Sequence, residues 1–285
     1  MKDFSNKVAV ITGAGSGIGR ALAVLLAQSG AKLALNDYQE QGLQGTLRLI
    51  EPYGTEAITK IFDVSKKETM HAFADEVIAH YGRADLMINN AGIALGRVPT
   101  WDLEYDDFEW VMGINFWGMV YGSKAFLPHL IKQKEGALVN ISSLFGLMGV
   151  PFQTAYCSSK FAIRGYNESL RAELKLFHPH VTVTSVHPGG IKTNIARDSK
   201  DPVNVEPDPR REEELAKFEA LFRTTPEDAA KTIINGVKRK RGRVLIGRDA
   251  KLPDKIIRLL PEKYTNFVIR SMKKSLGDES FTLPE

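Results

Sequence analysis

The stretch "KVAVITGAGSGIG" (residues 7–19) decides the architecture. "KVAVITG" (7–13) is apolar and rich in β-branched residues, so it reads as a buried strand. It runs directly into glycines at Gly13, Gly15, Gly17 and Gly19. From about Ile18 to Gly30 the periodicity becomes helical. A buried strand, a tight glycine turn and a helix open a βαβ unit.

The alternation repeats outward. Further strands read as "KLALND" (32–37), "EAITKIFDV" (56–64), "ADLMINNAG" (84–92), "GALVNISS" (136–143), "VTVTSVHPG" (181–189) and "RVLIG" (243–247). Helical patterns fill the gaps, ending near Tyr53 and Tyr81, then running over 106–133 as one long helix and over 154–177. Strands spaced by helices demand a parallel sheet with right-handed crossovers. The expected fold is α/β: a doubly wound, seven-stranded parallel sheet with helices on both faces and a C-terminal helical extension.

Residues 190–225, including "DPVNVEPDPRREEE" (201–214), read as a long polar loop with one short helix. An insertion at the C-terminal end of a strand is where a substrate lid sits. "TTPEDAAKTIINGVKRKRG" (224–242) reads as a helix capped by Thr225, with Pro226 in its first position. Residues 248–285 form a basic tail of two amphipathic helices broken at Pro261.

The chain has 285 residues, 43% apolar and 25% charged, which is the range of a soluble globular protein with a real core. Residues 210–285 hold 18 basic and 12 acidic side chains, whereas residues 1–209 hold 20 and 22. The net charge of +4 therefore comes from the tail. "KRKRGR" (238–243) reads as a helix end complementing the dipole, so no nucleic-acid partner is expected. A single cysteine, Cys157, allows no internal disulfide and fits a reducing, cytoplasmic setting. The first residues meet glycines before any long apolar run, so they do not read as a signal peptide. No metal-binding spacing stands out. Cys157 is not read as a nucleophile, His187 reads as a packing residue, and the sequons at 140–142 and 167–169 as chance.

Between strand and helix, glycines let the backbone approach a pyrophosphate, and the helix N-terminus offers N–H groups and a positive dipole end. The strict G-x-G-x-x-G spacing is replaced here by Gly13, Gly17 and Gly19. Asp37 lies 20 residues beyond Gly17 and closes the second strand. A carboxylate there accepts from ribose hydroxyls and repels a 2′-phosphate, favouring NAD over NADP.

"YCSSK" (156–160) places Tyr156 and Lys160 four apart on a helix, where they share a face. A tyrosine needs about 4 kcal/mol of help to ionise near neutrality. One cation about 4 Å away at an effective dielectric of about 20 supplies roughly that much, so Lys160, with the positive charge of an oxidised nicotinamide as a second, is expected to lower the phenol's pKa.

Seven motifs follow in order: "TGAGSGIG" (12–19), "DV" (63–64), "NNAG" (89–92), Asn115, "ISS" (141–143), "YCSSK" (156–160) and "HPGGIKT" (187–193). Together they resemble the short-chain dehydrogenase/reductase (SDR) family over about residues 5–247, which implies a Rossmann-type dinucleotide domain. The resemblance implies Tyr156 as acid/base, Lys160 beside it and on the nicotinamide ribose, Ser143 on the substrate oxygen, and Asn115 positioning a water. It implies cofactor contacts from Gly13, Ser16, Gly17, Ile18, Gly19, Asp37, Asp63, Val64, Asn90, Ala91, Gly92, Pro188, Gly189, Ile191 and Thr193. It suggests an NAD-dependent oxidoreductase for an alcohol or ketone, and a homodimer or homotetramer built through 106–133 and 154–177. "LFGLMGVPF" (144–152) hints at a hydrophobic secondary alcohol. An NADP-dependent carbonyl reductase and a non-catalytic nucleotide-binding scaffold remain alternatives. In the tail, Tyr264, Phe267, Val268, Met272 and Leu276 make one apolar face. It suits packing on the body or a neighbouring subunit, a peripheral membrane contact, or a flap over the pocket.

Overall fold

Apolar runs short enough to cross a sheet once become its strands: β1 (Val8–Thr12), β2 (Lys32–Asp37), β3 (Ala57–Ile61), β4 (Leu86–Asn89), β5 (Gly136–Ile141), β6 (Val181–Pro188) and β7 (Arg243–Ile246). The computed structural model describes residues 1–203, 211–220 and 222–277. All seven strands pair in parallel, in the order β3-β2-β1-β4-β5-β6-β7. The order reverses between β1 and β4, and that switch point opens a crevice at the C-terminal strand ends.

Around the sheet lie α1 (Gly17–Gln28), α2 (Glu40–Ile50), α3 (Lys67–Tyr81), α4 (Tyr105–Met112), α5 (Gly118–Ile131) and α6 (Thr154–Phe177). Then come α7 (Arg211–Glu219), α8 (Pro226–Lys238), α9 (Arg248–Leu259) and α10 (Tyr264–Leu276). The two-residue period of the strands sorts side chains between two cores. Ala9, Ile11, Leu33 and Leu35 join Leu22 and Leu26 of α1 and Ile233 and Val237 of α8. Val8, Val10 and Ala34 join Phe73 and Val77 of α3 and Phe126 and Leu130 of α5. Each fully buried Leu or Phe stabilises the fold by roughly 1.5–3 kcal/mol.

The long helix expected over 106–133 is interrupted. After α4 comes a five-residue π turn, Gly113–Trp117, before α5 begins. A tertiary bond holds the extra residue: Asn115 Oδ1 accepts from Ile93 N (2.8 Å), and its Nδ2 donates to Ile93 O (3.0 Å). The helix after β2 stops at Ile50 and continues as a 3₁₀ turn, Glu51–Tyr53.

Of the insertion at 190–225, residues 204–210 and 221 lie outside the described residues. Its start folds back on the segment after β4: Gly96 N donates to Lys200 O (2.8 Å), and Lys200 pairs with the buried Asp107 (3.2 Å). Thr225 caps α8 by accepting from Asp228 N (3.2 Å), with Pro226 in the first position. The tail forms two helices, and α9 ends just before Pro261.

A chain of buried amides crosses the core. Asn89 Nδ2 donates to Asn140 Oδ1 (2.7 Å) and to Ser123 Oγ (3.1 Å), and Asn140 Nδ2 donates to Asn167 Oδ1 (2.6 Å). It ties β4, β5, α5 and α6 together. Asn140→Ala removes two buried partners at once, at a cost of about 2–4 kcal/mol. The melting temperature should fall by roughly 5–10 °C in circular dichroism. A shift within about 2 °C would show that the amide chain is not under tension to stay paired.

Candidate active site

The crevice is one continuous cavity of about 2580 Å³. Its floor is the carboxyl ends of the strands, and its roof comes from the insertion and the tail.

At one end the glycine turn shapes an anion cradle. Gly13 (φ 64°) and Gly17 (φ 49°) hold left-handed conformations that a side chain would strain. Ser16 precedes α1 but makes no capping bond, and no acidic residue stands in the first turn. The N–H groups and positive dipole end of α1 are left for a phosphate. Ile18 lines this end as well. Gly19 does not line the cavity: a Cβ there would come within 2.0 Å of Gly13 O, so close packing requires it. Asp37 faces the cavity, with Oδ2 accepting from Gly15 N (2.8 Å) and Oδ1 from Gln39 N (3.0 Å).

Arg20, passed over in the sequence although it directly follows the glycines, clamps this region. It donates to Gly15 O, to Gly42 O (3.1 Å) and to Thr46 Oγ1 (3.1 Å). The glycine loop is fastened to β4 as well. Thr12 Oγ1 accepts from the N–H groups of Asn90 and Ala91 (both 3.1 Å), and Asn90 Nδ2 donates to Gly13 O (3.0 Å). Asp63, Val64, Gly92, Pro188, Gly189, Ile191 and Thr193 all line the same cavity. The cradle, the ribose-side carboxylate and the loop at 188–193 fit an extended dinucleotide.

At the other end, Ser143, Tyr156 and Lys160 converge. Lys160 is buried one turn beyond Tyr156, with Nζ donating to Ile141 O (3.3 Å) and lying 5.4 Å from the tyrosine ring centre. Ser142, not singled out in the sequence, donates to Lys160 O (2.8 Å) and locks α6 to β5. Asn115 is buried and does not line the cavity. Besides Ile93 it donates to Ser159 Oγ (3.1 Å), which donates to Tyr156 O (2.7 Å). Cys157 is buried on another side of α6, and burial pushes its thiol up, away from the thiolate.

The protein's own groups do not by themselves lower the Tyr156 pKa; the expected lowering also counted the charge of an oxidised nicotinamide. Burial pushes the phenol up to about 12, against the opposing pull of its hydrogen bond with Ser143. Burial likewise pulls Lys160 down to about 8. The ammonium lies over the tyrosine ring, and burial in their shared low-dielectric pocket disfavours the charged form of both groups.

His187 does more than pack. Its ring is buried between Ser143 O, 3.0 Å from Nδ1, and Ser185 Oγ, 3.0 Å from Nε2. A carbonyl only accepts, so Nδ1 carries the proton and Nε2 accepts from Ser185. This neutral tautomer braces the backbone of Ser143.

The sequence profile of the short chain dehydrogenase family matches residues 7–204. The chain belongs to the short-chain dehydrogenase/reductase family. SadH of Mycobacterium tuberculosis, an oxidoreductase by name, is 46% identical over 277 residues, spanning 96% of this chain and 98% of that protein. An SDR from Burkholderia phymatum, solved in complex with NAD, superposes with a TM-score of 0.83 at 30% identity, covering 93% of this chain and 96% of that one. An alcohol dehydrogenase from Thermococcus sibiricus, complexed with 5-hydroxy-NADP, gives 0.72 at 26% identity, covering 85% and 96%.

The tail of this SDR chain meets the two loops that carry the site. Gly149 N, just past Ser143, donates to Tyr264 Oη of α10 (3.2 Å), and Gly190 N donates to Asp249 of α9 (2.5 Å). Ala250 packs with Leu144 and Leu147. Val268 is buried, Tyr264 and Met272 are half-buried, and Phe267 lies at the cavity's mouth. The side chain of Leu276 lies outside the described residues. Among the described residues no helix is long and apolar enough to cross a membrane, and no three His, Cys, Asp or Glu gather as a metal site.

Burial holds His187 down to about 4, against the opposing effect of its bond to Ser143 O. A histidine depressed in the folded state contributes stability that is present above its ordinary pKa near 6.5. That stability is lost as pH falls from there toward about 4. Between about pH 7 and pH 4.5, urea unfolding should show His187→Gln losing roughly 2–3 kcal/mol less than wild type. Equal losses would mean that His187 titrates normally.

Proposed function

We propose that the protein is an NAD-preferring oxidoreductase that interconverts an apolar secondary alcohol and its ketone. The convergence of Ser143, Tyr156 and Lys160 at the end of a dinucleotide-shaped cleft carries this reading. Asp37 supports NAD: its carboxylate faces the ribose end, and the nearby Arg20 is engaged with Gly15, Gly42 and Thr46 rather than free to meet a 2′-phosphate.

Bound in the cleft, the dinucleotide supplies the hydride carrier and, when oxidised, a positively charged ring. The protein does the rest. Ser143 Oγ, at the end of β5, donates to the substrate oxygen. Tyr156 gives that oxygen its proton as a neutral phenol in reduction; in oxidation the phenol first loses its proton to solvent, and the phenolate then takes the alcohol's proton. Lys160 keeps positive charge beside the phenol and reaches toward the ribose. Asn115 and Ser159 fix the backbone of the Tyr156 turn.

The substrate end is walled by Phe145, Met148, Phe152, Ile257, Val268 and Met272, which suits an apolar body larger than a short alcohol. The outer faces of the π turn, α5 and α6, with Trp117 of the π turn and Phe161 of α6 exposed, are the surface on which we place homo-oligomer contacts.

Absorbance at the reduced-nicotinamide band tests the reading, using NAD or NADP and a panel of secondary alcohols. Wild type should turn over apolar alcohols with NAD, and Tyr156→Phe should lose about 10²–10⁴-fold in rate. Undiminished turnover in that variant would remove Tyr156 from the chemistry. Asp37→Ser should raise the NADP-to-NAD ratio of kcat/KM by at least about tenfold. An unchanged ratio would show that Asp37 does not select the cofactor.

A further inference from the structure

We propose that the C-terminal helix pair docks the enzyme on an anionic lipid surface. On α9, Arg248, Leu252, Lys255 and Leu259 are spaced so that they share one face. On α10, Lys263, Phe267, Arg270 and Lys274 repeat the same spacing from the capping position. All eight are exposed, the apolar three strongly so: Leu252 at 61%, Leu259 at 80% and Phe267 at 51%. Each helix turns inward with other residues, Ala250 and Asp254 on α9 and Val268 on α10. The outer stripes, alternating cations with large apolar side chains, are therefore not spent on the body of the protein.

Charge selects the partner. Residues 248–277 hold eight basic and three acidic side chains. Two of the acids are already engaged: Asp249 accepts from Gly190 N, and Asp254 pairs with Arg243 and Arg258. Among the described residues, Arg248, Lys255, Lys263, Arg270 and Lys274 form no ion pair. A second copy meeting this face with its own would oppose like charges. A nucleic acid would satisfy the cations but leave Leu252, Leu259 and Phe267 in water. An anionic bilayer surface satisfies both, with headgroups meeting the cations and the apolar side chains entering the acyl boundary. Leu252 and Phe267 also line the mouth of the cavity, so docking would set the opening against the lipid phase. That last consequence rests on the apolar substrate proposed above, whereas docking itself does not.

The test is co-sedimentation of the purified full chain with two kinds of vesicle, phosphatidylcholine alone and phosphatidylcholine mixed with phosphatidylglycerol. Each cation near such a surface contributes on the order of fivefold in affinity. Wild type should bind the mixed vesicles at least about tenfold more tightly than the neutral ones, and high salt should release it. The triple variant Lys255→Glu, Arg270→Glu, Lys274→Glu should lose at least about tenfold in binding to the mixed vesicles. None of its three positions lines the cavity, so turnover of a water-soluble alcohol should be unchanged and reports that the variant is folded. Leu259→Asn should also weaken binding. No binding to mixed vesicles, or equal binding by wild type and the triple variant, overturns the proposal. Self-association that the triple variant abolishes, without vesicle binding, assigns the face to a second copy and overturns it too. Vesicle binding by a protein inactive on every alcohol tested would leave docking intact and sink the catalytic reading.

Discussion

The active end of the molecule is organised around one buried charge. The ammonium of Lys160 is almost wholly withdrawn from water, and its protein acceptor is the carbonyl of Ile141. Removing such an ion from solvent costs several kcal/mol before compensation. Burial responds by pulling its pKa down to about 8 and pushing that of its neighbour Tyr156 up to about 12. The surrounding fold must therefore hold both groups where free chains would not leave them. Ser142 grips the backbone of Lys160, Ser159 grips that of Tyr156, and Asn115 ties the π turn to the loop after β4. Well-packed cores on both faces of the sheet supply the stability that this arrangement draws on.

The same economy governs the dinucleotide end. Asn90 and Arg20 satisfy carbonyls of the glycine turn, and Thr12 Oγ1 ties the turn to the backbone after β4, which fixes the turn but leaves the amino end of α1 open. Asp37 steadies Gly15 while presenting its carboxylate to the cavity. The same carboxylate holds loop backbone and faces the cavity, so a change at Asp37 alters the loop as well as the charge at that end of the cavity.

Much of this was legible in the sequence because it is local or repetitive. Uninterrupted apolar runs between helical patterns specified a parallel sheet, and ordered motifs located the cavity. What was not legible depends on contacts between distant segments. The π turn exists because Asn115 meets Ile93, a pairing that helical periodicity across 106–133 conceals. The upward push on the Tyr156 pKa follows burial contributed by several elements, which the spacing of "YCSSK" does not reveal. His187 looked like packing because the carbonyl it braces belongs to another strand's end. Arg20 sits in plain view after the glycines, but its acceptors come from the glycine loop and α2 together.

The bond from Gly149 to Tyr264 also bears on how the protein is made. Chains emerge amino end first, and earlier segments fold before later ones arrive. The sheet from β3 to β6 and the residues that flank Tyr156 lie within the first 188 positions. The side chains of α9 and α10 that roof the cavity come after β7, behind every strand of the sheet. A nascent chain thus passes through a stage with a formed nucleotide cradle and an open-topped reaction chamber. Its apolar walls then face the solvent until α9 and α10 leave the ribosome and cover them.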